Sequence, residues 1–172
     1  MKTPGNILFT TEQIQQRVSE LSQHIEKDYA GLDPVMLVIL KGSFYFASDL
    51  TKSMDMPLAL DFIATGHNPS GALEVIRRPL NSLKGRHVLL IEDIIDSGLT
   101  LGFMLNFLQE QEPADIAICT LLDNPARRLV QLPLRYTGFQ VPDVFVVGYG
   151  LDFEENYRHL PCICEYSYPQ PK

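Results

Sequence analysis

The segment from Glu92 to Thr100 holds the densest set of groups able to do chemistry. It follows an apolar run at 88–91 and leads into a helical pattern. A glycine and backbone N–H groups at a helix N-terminus favour an anion such as phosphate, and nearby hydroxyls add donors. Two carboxylates upstream would repel a bare phosphate, but they suit sugar hydroxyls or a divalent cation bound by the same ligand. The segment therefore predicts a ligand that joins a phosphate to a ribose; an acidic strand end before an ordinary helix cap is the alternative. The candidate residues are Glu92, Asp93, Asp96, Ser97, Gly98, Leu99 and Thr100.

Along the chain on both sides of this segment, helix patterns alternate with strand patterns. Apolar residues spaced by three or four predict a helix over 11–29, with Thr10 and Gln13 as a capping box and Gly31 beyond its end. Continuous apolar runs predict buried strands. The predicted strands are 35–40, 58–64, 73–76, 88–91, 116–122 and 145–147, the further helical stretches are 44–50 and 101–108, and a polar loop spans 65–71.

This alternation predicts an α/β fold built on a mostly parallel sheet. In such sheets, ligands bind beyond the carboxyl ends of the strands. The segments that follow residues 40, 91, 122 and 147 are therefore the places to look for a site.

Composition narrows the class of protein. The 172 residues predict one domain over 1–172, and 14 basic against 21 acidic residues give a net charge of −7, which argues against broad nucleic-acid binding. Three cysteines, with Cys162 and Cys164 expected as small buried residues on a strand, are typical of a reduced intracellular protein. No signal peptide or membrane-spanning run is visible, so we expect a soluble, cytoplasmic protein without a membrane partner.

The string from Val88 to Thr100 resembles the phosphoribosyl-pyrophosphate (PRPP) binding motif of phosphoribosyltransferases. From about Ile7 to about Pro161, the chain resembles the bacterial hypoxanthine (hypoxanthine-guanine) branch of the type I purine family. The resemblance implies a three-layer α/β fold, with a central sheet flanked by helices and a small hood formed by the terminal segments. It also implies transfer of the 5-phosphoribosyl group from PRPP to N9 of hypoxanthine or guanine in purine salvage, giving IMP or GMP and pyrophosphate. Mg²⁺ is the implied cofactor, and a homodimer or homotetramer is the implied assembly.

The resemblance assigns roles to the motif residues. Glu92 and Asp93 would hold the ribose hydroxyls, directly or through Mg²⁺, and 96–100 would cradle the 5′-phosphate. Asp96 would be the general base near N7 of the purine. Leu99 stands where some relatives have lysine.

Four further segments carry implied roles. Lys41, Gly42 and Ser43 match the first catalytic loop, in which the peptide before the lysine can be cis and backbone amides contact pyrophosphate. Phe145 would stack on the purine, and Val146 would offer its backbone to the base edge. Asp152 and Arg158 would contact the metal-bound pyrophosphate. The resemblance implies Glu92, Asp93 and Asp152 as the metal-binding residues. It implies Lys41, Asp96 and Arg158 as the catalytic residues.

Two departures from the family pattern stand out. Relatives have Asp-Lys-Pro where this chain has Asp123-Asn124-Pro125, so Asn124 replaces a lysine that bonds the 6-oxo group. The segment 64–71 is shorter than the mobile loop of relatives and lacks its Ser-Tyr pair, which leaves Thr65 and His67 as partial substitutes. These departures predict weaker base binding and a slower, less well-sealed site.

Two alternative functions remain open on the sequence. A PRPP-sensing regulatory protein of the same fold would keep the phosphate cradle but relax the catalytic loops. The net charge and the lack of a Lys/Arg cluster argue against nucleic acid as its partner, and retention of Lys41, Asp96 and Arg158 favours an enzyme. A transferase that prefers another base, such as xanthine, is the second alternative.

Overall fold

The computed structural model describes residues 4–166, which form a six-stranded sheet, a smaller three-stranded sheet and three helices. The larger sheet has the strand order β4-β3-β2-β5-β6-β7, and β4 alone in it runs antiparallel to its neighbour. The strands are β1 (Ile7–Phe9), β2 (Val35–Ile39), β3 (Ala59–His67), β4 (Leu73–Arg77), β5 (His87–Ile95), β6 (Asp115–Asp123), β7 (Leu134–Gln140), β8 (Val146–Val147) and β9 (Ile163–Glu165). The helices are α1 (Thr11–Asp28), α2 (Phe44–Lys52) and α3 (Leu99–Gln109).

The central strands are buried on both faces, which explains their continuous apolar runs. Alternate residues of β2 enter two different cores: Met36 and Val38 pack on the side of α1 and α2, whereas Leu37 and Ile39 pack on the side of α3. Helices therefore cover both faces of the sheet. The three-layer α/β arrangement with a mostly parallel sheet is confirmed.

Helix α1 follows its sequence signals closely. Its apolar stripe is buried, and the side chains of Thr10 and Gln13 accept hydrogen bonds from each other's backbone N–H groups. Gly31, beyond the helix end, has a φ of +76°. No helix within 4–166 has the length and apolarity to cross a membrane.

The small sheet joins the two ends of the chain. Strand β9 pairs antiparallel with β1 on one side and β8 on the other, so the expected hood is confirmed. The prediction that 145–147 is a strand of the parallel sheet is wrong, because β8 belongs to this hood. Cys162 and Cys164 are buried in it, as expected.

Three other strands differ from the sequence predictions, two in their bounds and one because no strand was expected there. Strand β3 runs to His67, because it pairs with β4 as a hairpin, and Asn68 Oδ1 closes the turn by accepting N–H bonds from Ser70 and Ala72. The polar loop is thus 68–72 rather than 65–71. Strand β5 continues past the acidic pair to Ile95, because it stays paired with β6. Strand β7 was not predicted at all.

Candidate functional site

Two adjoining cavities lie beyond the carboxyl end of β5. The first has a volume of about 280 Å³ and the second about 290 Å³. Both are lined by Asp93, Ile94 and Asp96, so they share one wall. The first is also lined by Asn124, Arg127, Val144, Phe145, Val146, Leu151 and Asp152, and the second by Ile39, Thr65, Glu92, Ile95, Ser97, Gly98, Thr100, Leu101 and Met104.

The second cavity contains the N-terminus of α3. Gly98 caps this helix with a φ of +78°, in the left-handed region that favours glycine. Ser97 Oγ accepts a hydrogen bond from the Leu99 N–H at 3.4 Å. The N–H groups in the first turn of a helix, together with the helix dipole, favour an anion. The Leu99 side chain is 55% exposed and lines neither cavity.

Glu92 and Asp93 lie side by side, and Ser43 contacts both of them. Ser43 is fully buried; its hydroxyl donates to Glu92 Oε1 at 3.3 Å and accepts from the Asp93 N–H at 3.0 Å. Burial, reinforced by the adjacent Asp93 carboxylate, holds the pKa of Glu92 well above its usual value of 4.5. The ionised form of the Glu92 carboxyl is therefore disfavoured in the folded protein.

Replacing Glu92 by glutamine is expected to stabilise the ligand-free protein. Because the pKa of Glu92 is raised on folding, its contribution to stability is complete below the unfolded value and is lost as pH rises through the folded value. The glutamine variant escapes this loss, so it should gain about 0.5–2 kcal/mol relative to the wild type at alkaline pH. Urea unfolding at mildly acidic and mildly alkaline pH measures the effect. Glu74→Gln, on an exposed position of β4, is the control, and a Glu92→Gln difference that does not vary with pH contradicts the prediction.

The loop that holds Lys41 approaches the acidic pair closely. A Cβ added at Gly42 would lie 1.6 Å from Asp93 Oδ2, so any residue other than glycine would displace this carboxylate. A Cβ at Gly150 would lie 2.1 Å from the Gly42 carbonyl oxygen. The Leu40–Lys41 peptide bond is cis. Three loops that are distant in the chain therefore meet at one point.

The first cavity has one aromatic side chain, that of Phe145, in its lining. Phe145, 42% exposed, forms edge contacts with Phe153 and Tyr166, at centroid distances of 5.8 and 6.0 Å. The backbone of Val146 lies beside it. Asn124 is 2% exposed, and its Oδ1 has no hydrogen-bond partner within 4–166. A buried polar atom of this kind is normally satisfied by water or a ligand.

Arg127 is a site residue that the sequence reasoning missed. Its Nη1 lies 2.9 Å from Asp96 Oδ2, and its Nε lies 3.2 Å from Asp143 Oδ1. The other Asp96 oxygen is buried without a partner among the described residues. Arg127 ends the 3₁₀ turn Pro125–Arg127 that follows Asn124. Pro125, which follows the end of a strand, is a sequence signal for this turn. It does not indicate that Arg127 pairs with Asp96 and Asp143.

A second missed residue, Glu155, lies in a cluster of charges outside the cavities. Arg158 donates to the Gly150 carbonyl at 2.8 Å and pairs with Asp152 at 2.8 Å. Glu155 pairs with Lys41 at 3.0 Å and with Arg158 at 3.4 Å. The structure thus links Lys41 to Arg158 through Glu155, and Arg158 to Asp152, which lines the first cavity.

The described part of the chain contains no group of three or more His, Cys, Asp or Glu side chains that converge as a metal cage. Mg²⁺ is commonly bound by one or two carboxylates together with ligand phosphates and water. Asp93 and Asp152 line the first cavity, and Glu92 and Asp93 line the second, so an ion that arrived with a phosphorylated ligand would meet two carboxylates in either cavity.

Residues 6–154 match the phosphoribosyl transferase domain, and the chain belongs to that family. A hypoxanthine-guanine phosphoribosyltransferase of Streptococcus pneumoniae strain R6 is 41% identical over 162 residues, which cover 91% of this chain and 90% of the relative. A hypoxanthine phosphoribosyltransferase structure from Staphylococcus aureus has a TM-score of 0.90 and 39% identity, and covers 96% of this chain and 94% of its own. A hypoxanthine-guanine phosphoribosyltransferase structure from Bacillus anthracis has a TM-score of 0.88 and 42% identity, with coverages of 93% and 96%.

Proposed function

We propose that the protein transfers the 5-phosphoribosyl group of PRPP to N9 of hypoxanthine or guanine and releases pyrophosphate. The observation that carries the proposal is the pair of adjoining cavities that share Asp93 and Asp96. One cavity offers a helix N-terminus for the 5′-phosphate and the other an aromatic wall for the base. The ribose, with its reacting C1′, would lie between the two cavities. The names of the relatives support this substrate pair.

In this arrangement, catalysis depends on positioning and charge. The bond from C1′ to pyrophosphate breaks as the bond from N9 to C1′ forms, and Asp96 takes the proton from N7. Glu92 and Asp93 hold the ribose hydroxyls, and Ser97, Gly98 and Thr100 cradle the phosphate. Lys41, with the backbone of Gly42 and Ser43, and Arg158 pair with the pyrophosphate oxygens.

The reaction class generally uses a divalent metal, and we assign Mg²⁺ here. When bound, Mg²⁺ neutralises the departing pyrophosphate. We assign Asp152 and the Glu92–Asp93 pair as the residues that would hold it. Asp152 already pairs with Arg158 at 2.8 Å, so this carboxylate would orient the guanidinium as well.

Asn124 would contact the 6-oxo group of the base in place of the lysine of relatives. Its amide can donate, but without charge. Asn124→Lys is therefore expected to lower the KM for hypoxanthine or guanine about five- to tenfold, since hydrogen bonds to charged groups exceed neutral ones by roughly 1 kcal/mol. Steady-state kinetics at saturating PRPP measures the change. Asn124→Gln, which keeps an uncharged amide, is the control, and an unchanged or higher KM in the lysine variant contradicts the role.

One assay tests the function directly. PRPP and Mg²⁺ are incubated with hypoxanthine, guanine, xanthine, adenine and uracil in parallel, and nucleotide formation is followed. We expect IMP and GMP; formation of nucleotide from xanthine alone would move the proposal to that base. PRPP binding without turnover of any base would favour the regulatory alternative. The homodimer or homotetramer stays a prediction, which light scattering tests.

A further inference from the structure

Glu155 lies between the two cations that the proposed function assigns to pyrophosphate. Its Oε1 accepts a hydrogen bond from Lys41 Nζ at 3.0 Å, and its Oε2 lies 3.4 Å from Arg158 Nη2. We propose that Glu155 is an internal counter-anion, which occupies the pyrophosphate subsite of the free protein and is displaced by the pyrophosphate group of PRPP. The inference rests on the proposed function, because it takes Lys41 and Arg158 as the pyrophosphate cations.

Arg158 is the fixed member of this cluster. Its Nη1 donates to the Gly150 carbonyl at 2.8 Å, its Nη2 pairs with Asp152 at 2.8 Å, and its side chain is only 21% exposed. Its Nε is buried and has no partner among the residues described. Departure of Glu155 would therefore leave Arg158 in place, ready to bind another anion.

Glu155 is the removable member. Its side chain is 66% exposed, and that of Lys41 is 68% exposed. Exposed ion pairs are weak, because water and salt screen them. Pyrophosphate brings more negative charge and more acceptor oxygens than one carboxylate, so it can replace Glu155 at both cations.

The turn that contains Glu155 is built to hold it there. Its backbone N–H donates to Asp152 Oδ2 at 2.8 Å. Glu154 and Glu155 have φ values of 51° and 63°, in the left-handed region that residues other than glycine seldom adopt.

Removing the charge of Glu155 should strengthen pyrophosphate binding. Each exposed pair contributes about 1.4- to 5-fold to an equilibrium constant, so Glu155→Gln is expected to lower the Kd for Mg²⁺-pyrophosphate about three- to tenfold. The KM for PRPP should fall with it, whereas kcat should not rise. Glu155→Asp, one methylene shorter, should give an intermediate Kd because it cannot span both cations.

Glu154→Gln is the matched control, because it removes the same charge from the adjacent residue. Glu154 is exposed, and its side chain forms no ion pair within the described range. Titration calorimetry with Mg²⁺-pyrophosphate is carried out on the wild type and the three variants at low and high NaCl. The proposal is supported if Glu155→Gln binds Mg²⁺-pyrophosphate more tightly than the wild type and Glu154→Gln binds it equally. The ratio of the wild-type Kd to the Glu155→Gln Kd should also fall as NaCl screens the ion pairs.

The two levels of failure are distinguishable. If the wild type binds pyrophosphate and Glu155→Gln binds it equally or more weakly, the counter-anion role is overturned while the proposed function stands. If neither the wild type nor any variant binds pyrophosphate or PRPP, the proposed function is overturned together with this inference. Circular dichroism of each variant confirms that the comparison is made between folded proteins.

Discussion

Replacing Asp96 by asparagine is expected to lower kcat for IMP formation by about 10²- to 10⁴-fold, the range that a general base contributes. The substitution keeps the shape of the side chain but removes its ability to take the proton from N7. The KM for PRPP should change little, because the phosphate cradle and the acidic pair remain. Initial rates with saturating hypoxanthine and PRPP measure the effect.

Asp96 also forms an ion pair with Arg127 at 2.9 Å, so loss of that pair must be separated from loss of the base. Asp143→Asn breaks the other ion pair of the same arginine, at 3.2 Å, and leaves Asp96 unchanged. This control should keep kcat within about threefold of the wild type, as expected for an exposed pair. Equal losses in both variants would show that Arg127, rather than proton transfer, is what Asp96 supports.

Replacing Gly42 by alanine is expected to lower kcat/KM for PRPP by at least about 10²-fold, the loss that a misplacement of 1 Å can cause. The added Cβ would lie 1.6 Å from Asp93 Oδ2 and 2.8 Å from its Cγ, so the carboxylate has to rotate away. Asp93 would then no longer reach the ribose. Because the displaced group is the end of a side chain, the free energy of unfolding should fall by only about 1–3 kcal/mol.

Gly102→Ala is the control for the Gly42 variant. Gly102 lies within α3, and an added Cβ would meet its nearest neighbouring atom, Val130 Cγ2, at 4.0 Å. This variant should keep full activity and become more stable by about 0.4–1 kcal/mol. Thermal melts and PRPP kinetics compare the two proteins. Wild-type kcat/KM in Gly42→Ala would show that the close approach to Asp93 has no part in substrate binding.

The local chemistry of the site was readable from the sequence. The run from Glu92 to Thr100 is contiguous, and its glycine, hydroxyls and following apolar periodicity are properties of neighbouring residues. The capping box of Thr10 with Gln13 was predictable for the same reason, because the two residues lie three positions apart. Central strands were found because burial on both faces leaves a continuous apolar run.

The predictions that were wrong concern strands whose pairing partners are distant in the chain. Strand β8 has only two residues, and whether it joins the hood or the large sheet is decided by β9, which lies beyond residue 160. Strand β3 extends to His67 because β4 returns to pair with its polar end. Neither choice leaves a local pattern, since a strand's partner is set by tertiary packing.

The groups that this protein has for binding a phosphorylated sugar, and the class of fold that presents them, follow from the order of its residues. Only the tertiary structure placed Arg127 against Asp96, Ser43 between Glu92 and Asp93, and Glu155 between Lys41 and Arg158. Helix capping and hydrophobic periodicity involve residues within a few positions of each other. Of these contacts, only the Glu155–Arg158 pair is that local, and the Lys41–Glu155 pair spans 114 positions. Which charges meet is therefore decided by how the loops converge at the carboxyl end of the sheet.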